Sequence, residues 1–228
     1  GKDPLYGVTP IAEMLEVGKG IQKTQSPVYP GIDIDYSKPI DLSAVYRQIT
    51  NPQLSSDSGM AGFGVLPGLI VTSGLPEQVC QQLNDMVKPL GLTAVAGIAG
   101  QASDQIAEET TLVPGACLAV PLVSGDIKMD AIGTVTEVVG DQVYGFGHAF
   151  LGYGPIDLPM ATGQVYTVVS NISSSFKLAA AVKTIGALRI DESAAVKGQI
   201  GAKAKMIPLN ITVNRYNDTE KRVYNCMM

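Results

Sequence analysis

The sequence predicts a mainly β (α+β) protein: a sandwich or barrel core with one or two peripheral helices. Three observations carry that prediction. Apolar, β-branched runs recur through the second half of the chain, each bounded by glycine-, serine- or aspartate-containing turns. Gly140-Asp141 separates two of these runs as a two-residue hairpin signal. Only 16% of the residues are charged against 46% hydrophobic, which supplies ample core material and excludes a disordered chain.

Taken in order, Thr9-Pro10 opens a short helix, with Thr9 as N-cap, Pro10 at the first helical position and Gly18 as the stop. Ile11, Met14 and Leu15 give that helix an apolar face. Residues 19–60 are rich in Pro, Ser, Asp and Tyr with weak periodicity and read as extended segments and turns. Residues 65–72 read as a strand. A second helix is expected from Pro76 to Lys88, with Val79, Leu83, Val87 and Leu90 on one face. Residues 99–111 are small and polar, a linker between two halves. Strands follow at 116–123, 131–139 and 142–147, then at 164–170, 176–190 (one strand or two) and 206–214. The expected organisation is an N-terminal α/β segment (1–110) completing or flanking the core, a β-rich core (111–215), and a polar tail (216–228), frayed or edge-paired.

Composition narrows the function classes. Lys and Arg number 16 against 21 Asp and Glu, and the basic residues are scattered, so no field is present to meet nucleic-acid phosphate. The long uncharged stretch Ser58–Pro76 contains Pro67 and several glycines, which disfavours a membrane-spanning helix. Cys80, Cys117 and Cys226 fit no zinc spacing, and an odd count cannot pair completely. They are expected as buried thiols with no obligatory bridge. No cofactor or metal motif is found.

The chain contains one histidine, His148, in Gly145-Phe146-Gly147-His148-Ala149-Phe150-Leu151-Gly152-Tyr153-Gly154. A histidine at a strand end inside a glycine-built turn is placed to act as a general base or as a hydrogen-bonded turn residue. Gly62-x-Gly64 and Gly145-x-Gly147 lack the rest of a dinucleotide fingerprint. Ser174 and Lys177 match the S-x-x-K spacing of Ser/Lys acyl enzymes, but on a turn entering a strand rather than at a helix start. Asp126, Asp130 and Asp141 are expected in turns.

Residues 113–212 resemble the peptidase region of the SpoIVB family of bacterial serine endopeptidases. The resemblance runs through Val113–Asp126, Gly133-Thr134-Val135-Thr136, Gly145–Leu151, Gly154-Pro155-Ile156-Asp157-Leu158-Pro159-Met160, Ser174–Leu178 and Met206-Ile207-Pro208. Weaker similarity lies in Lys2–Leu15 and Val71–Leu75. It implies a trypsin-like β fold, a peptide or protein substrate, an extracytoplasmic bacterial location, and His148 as the base for a serine. The family's nucleophile motif, G-M-S-G-S-P, is expected upstream of Gly1 in a segment that associates with this chain, which by itself is then inactive. Gly59-Met60-Ala61-Gly62-Phe63-Gly64 echoes that motif with Ala61 in place of serine, out of the expected order. Asp157 is the local carboxylate nominated to orient His148. The alternative is a non-catalytic binding or scaffolding module that uses loops 145–163 to hold a partner segment.

Overall fold

The computed structural model describes residues 9–19, 68–88, 92–97, 111–170, 175–216 and 220–228. The turns expected before residue 61, the Gly59–Gly64 echo, Ser174 and the linker over 99–110 lie outside the described residues. Elements run α1 (Ile11–Glu16), β1 (Gly68–Ser73), α2 (Glu77–Val87), β2 (Leu92–Ala96), β3 (Cys117–Gly125), β4 (Lys128–Val139) and β5 (Gln142–Gly145). Then come β6 (Gly154–Val169), β7 (Phe176–Glu192), β8 (Ala195–Ile200), β9 (Pro208–Val213) and β10 (Arg222–Met227). The protein is mainly β.

Six of the strands pair in a closed antiparallel ring, β4–β5–β8–β7–β6–β3 and back to β4. Closure removes the exposed edges that an open sheet of apolar strands would leave. Each ring strand contributes to one buried cluster: Leu118 and Val120 from β3, Val135 from β4, Val143 from β5, Met160 from β6, Leu188 from β7 and Val196 from β8. A fully buried side chain of this size contributes roughly 1.5–3 kcal/mol, so this cluster dominates the stability of the ring. β1 adds to β4 beside β5, and β2 lies parallel to β1, with α2 as their connection. At the other side, β10 pairs with the end of β3 and β9 with β10.

Strand alternation gives β3, β4 and β6 a second buried face. Cys117, Ala119, Ile132 and Ala161 point away from the first cluster and pack with Leu69, Val71 and Ala179. The cover comes from the distal half of the β6–β7 hairpin. Register shifts at Met160/Ala161, Thr162/Gly163 and Val165/Thr167 let it bend back over β4. Three bonds tie it down: Lys177 Nζ donates to Gly133 O (3.0 Å) and Thr134 Oγ1 (2.6 Å), and Ala181 N donates to Asp130 Oδ2 (3.0 Å).

The β3–β6 joint is short: Leu118 faces Thr162 and Ala119 faces Ala161. Continuing that register would set Pro121 opposite Pro159, and neither has an N–H to donate. The two strands part there, and the prolines line a cleft with Thr184, Lys203, Met206 and Met227.

Several expectations shift on the structure. The hairpin turn at Gly140-Asp141 is present, with Val139 opposite Gln142. β6 begins at Gly154, so residues 154–163 are strand rather than loop, and of the two forms open for residues 176–190 the structure has the single strand, bulged, as β7. β2 and β8, each short, were not anticipated. The tail is edge-paired as β10. Pro10, not Thr9, occupies the N-cap of α1: its carbonyl accepts from Glu13 N and Met14 N, and the Thr9 hydroxyl bonds Gly147 O instead. On α2, Val79 is 41% exposed and Cys80 is buried. The inward stripe is rotated because Cys80 Sγ meets Thr72 Oγ1 (3.3 Å) and Asn84 Oδ1 accepts from Ala94 N (3.0 Å). Asp130 lies inside β4 and is buried rather than in a turn, and all three cysteines are buried and free.

Candidate functional site

β5 ends at Gly145, and the chain then makes the tight loop that carries His148. Phe146 adopts φ 67°, the one left-handed non-glycine among the described residues, followed by Gly147 at φ 75°. A bulky residue in that region costs roughly 1–3 kcal/mol unless its surroundings over-determine it. Here the Phe146 ring fills the space above Gly133, where an added Cβ would come within 2.6 Å of it. The same ring meets the His148 imidazole edge-on (5.8 Å between centroids, 83°) and Phe150 at 5.8 Å. The twist that Phe146 accepts is what turns His148 out of the strand direction and against this aromatic pair.

His148 is half-buried, and its Nδ1 lies 2.6 Å from the carbonyl oxygen of Ala149. A carbonyl can only accept, so Nδ1 carries a proton, and in the neutral ring the lone pair is then on Nε2. That is the tautomer a general base requires, since the proton to be taken must arrive at Nε2. Among the described residues, Ala149 O is the one hydrogen-bond partner of the ring.

Two anchors from distant parts of the chain hold the loop. Thr9 Oγ1 donates to Gly147 O (2.7 Å), and Met14 of α1 reaches the same glycine. α1 itself is seated by Met14 and Val17 on Ala195, beside Ile190. The second anchor is Asp191, 1% exposed at the end of β7. Its Oδ1 accepts from Phe150 N (2.7 Å), and its Oδ2 accepts from Leu151 N (2.7 Å) and Gly152 N (2.8 Å). Three consecutive amides thus converge on one buried carboxylate, each bond of the charge-assisted kind worth roughly 1.5–3 kcal/mol. Burial, and after it the charge of Asp191, pushes the Tyr153 phenol above its ordinary range.

The structure does not bring Asp157 to His148. Asp157 Oδ1 pairs with Arg189 Nη1, and Oδ2 accepts from Lys205 N (3.1 Å). Lys177 lies at the start of β7, its ammonium held on β4. Asp126 accepts from Asn225 N (2.8 Å), joining the β3–β4 turn to β10. Asp141 accepts from the Gln142 and Gln199 side chains, and these bonds to the charged form hold its pKa below the usual carboxylate range.

Asp191 escaped the sequence reading for a physical reason. With Leu188 buried, strict alternation points residue 190 inward and 191 outward. The bulge between Leu188 and Ile190 resets the parity and turns Asp191 into the core. The available signal was an aspartate next to last in the strand, ahead of Glu192.

Among the described residues, no group of three or more His, Cys, Asp and Glu gathers to hold a metal ion, and no helix is long and apolar enough to cross a membrane. Comparison with known proteins returns no matching family model, no matching curated protein and no matching solved structure.

Proposed function

We propose that this chain is the histidine-bearing part of a SpoIVB-type serine endopeptidase with a trypsin-like fold, working outside the bacterial cytoplasm on peptide or protein substrates. The observation that carries the proposal is the state of His148: Nδ1 is committed to Ala149 O, which leaves Nε2 as the basic nitrogen on a half-buried ring. The motif resemblance around Gly145–Leu151 and the closed antiparallel ring that positions it support the same reading. In this role His148 takes the hydroxyl proton of a serine at Nε2 as that oxygen attacks the peptide carbonyl, then returns it to the leaving amine. The serine belongs to the G-M-S-G-S-P segment expected upstream.

A serine-directed fluorophosphonate tests this. The 228-residue chain is expected neither to label nor to hydrolyse a general peptide substrate. A chain extended upstream through the motif is expected to label, and His148→Ala in that chain to abolish labelling. Labelling of the short chain at Ser174 supports a Ser/Lys hydrolase instead. Absence of labelling in the extended chain favours the binding module, for which the outer end of β6 supplies an observation of its own: Val165, Tyr166, Val168 and Val169 are 36–58% exposed.

A further inference from the structure

We propose that Asp191 is the positioning residue for His148, acting through the Ala149–Phe150 peptide unit without touching the imidazole. The proposal rests on the reading of His148 as the general base. The acceptor for His148 Nδ1 is the carbonyl of Ala149, and the amide donating to Asp191 Oδ1 is the N–H of Phe150. These two groups are the opposite ends of one peptide bond. No peptide bond among the described residues is cis, so the N–H and C=O of this unit point in opposite directions. The result is a linear series: carboxylate, amide hydrogen, peptide, carbonyl oxygen, Nδ1 hydrogen, imidazole.

Two consequences follow from that series. Geometrically, the 2.7 Å bond to a carboxylate buried to 1% exposure fixes the peptide plane, and with it the direction from which Ala149 O meets the ring. The bonds from Leu151 and Gly152 to Oδ2 stop the carboxylate from rotating. Electrostatically, a negative charge on the N–H side polarises the peptide and makes its carbonyl a stronger acceptor, by about 10–30% per bond in chains of this kind. When Nε2 takes a proton, the imidazolium keeps Nδ1–H on Ala149 O, and the three amide bonds to Asp191 hold that carbonyl in place. A directly bonded aspartate in a serine peptidase triad holds the tautomer and steadies the imidazolium. Here one peptide bond stands between the two groups, and Asp157, engaged by Arg189, is not needed for either task.

The chain's single histidine makes the test direct, because every imidazole signal in a nitrogen-15 NMR spectrum belongs to His148. At a pH where the ring is neutral, the wild-type chain is expected to show the Nδ1–H tautomer. Asp191→Asn, of the same shape but with amide hydrogens facing the loop, is expected to lose the dominance of that tautomer. Val71→Ala, in β1, is expected to lower the melting temperature and leave the imidazole spectrum as in wild type. A folded Asp191→Asn protein with an unchanged tautomer overturns the proposal, and so does a Val71→Ala protein that loses it equally. Should Asp191→Asn fail to fold, the wild-type chain decides: an Nε2–H tautomer, or a Phe150 amide that exchanges as freely as exposed backbone, overturns the proposal, while the Nδ1–H tautomer with a protected Phe150 amide supports it. None of these readouts involves a nucleophile or a substrate. Failure of the extended chain to label with fluorophosphonate would therefore remove the peptidase reading and leave the Asp191–His148 coupling standing.

Discussion

The interior of the strand ring and the His148 loop sit side by side and are held by opposite kinds of force. The ring is filled by Leu118, Val120, Val135, Val143, Met160, Leu188 and Val196, all at most 1% exposed and none with a polar atom to satisfy. Its cohesion is non-directional and scales with area, so many arrangements of similar volume would serve. The loop is held by one buried carboxylate, one hydroxyl and one twisted phenylalanine, each effective in a single geometry. The ring therefore supplies stability and the loop supplies direction. A substitution in the first should cost folding free energy broadly, and a substitution in the second should disturb the histidine more than the fold.

The largest effect is expected from Leu188→Ala. Removing a fully buried leucine from the ring should cost about 2–5 kcal/mol, read as a lower urea midpoint with an unchanged slope. Gly133→Ala comes next, since its Cβ would enter the Phe146 ring. Overpacking of this kind costs about 1–3 kcal/mol. It should also shift the His148 ring resonances, which Leu188→Ala at matched folded fraction should not. Thr9→Val removes the hydroxyl bonded to Gly147 O and should cost about 0.5–1.5 kcal/mol in the same urea measurement.

The smallest expected change is from Asp130→Asn, which tests the covered outer face. Burial raises the Asp130 carboxyl above the usual carboxylate range. The folded state then holds this proton to higher pH than the unfolded state, so its contribution is fully present below the unfolded value and is lost as pH rises through the folded one. Asparagine keeps an oxygen for Ala181 N but has no proton to lose. The variant should melt at or above the wild-type temperature near neutrality, with a flatter profile just above pH 3.8. A steeper profile would show that Lys128 and Ala181 more than offset the burial.

What was legible in the sequence follows the same division. β4 and β5 were readable because a two-residue Gly140-Asp141 turn between two apolar, β-branched runs is a local signal. His148 stood out by its glycines. The parts that stayed hidden depend on partners far along the chain. β8 is short, and β2 finds its parallel neighbour only across α2. Asp157 looked like a partner for His148 by proximity in sequence, but Arg189 and Lys205 reach it first. Asp191 lies 41 residues from Phe150 and faces inward only because a bulge inverts the pattern. A hydrogen bond between a distant carboxylate and a backbone amide leaves no periodicity to read.

The short β3–β6 joint has a bearing on how this ring breathes. The ladder with the fewest register pairs in the hoop is Leu118–Thr162 and Ala119–Ala161, and Pro121 and Pro159 line the cleft beyond it. Parting there would unroll the hoop into an open sheet while β6 and β7 stay zipped along their length. Sub-global opening of that kind precedes global unfolding and exposes backbone in contiguous units. The far side of the hoop, where β7, β8 and β5 carry the loop's neighbours, would remain intact. An opening at this seam would leave the residues that aim His148 in their places.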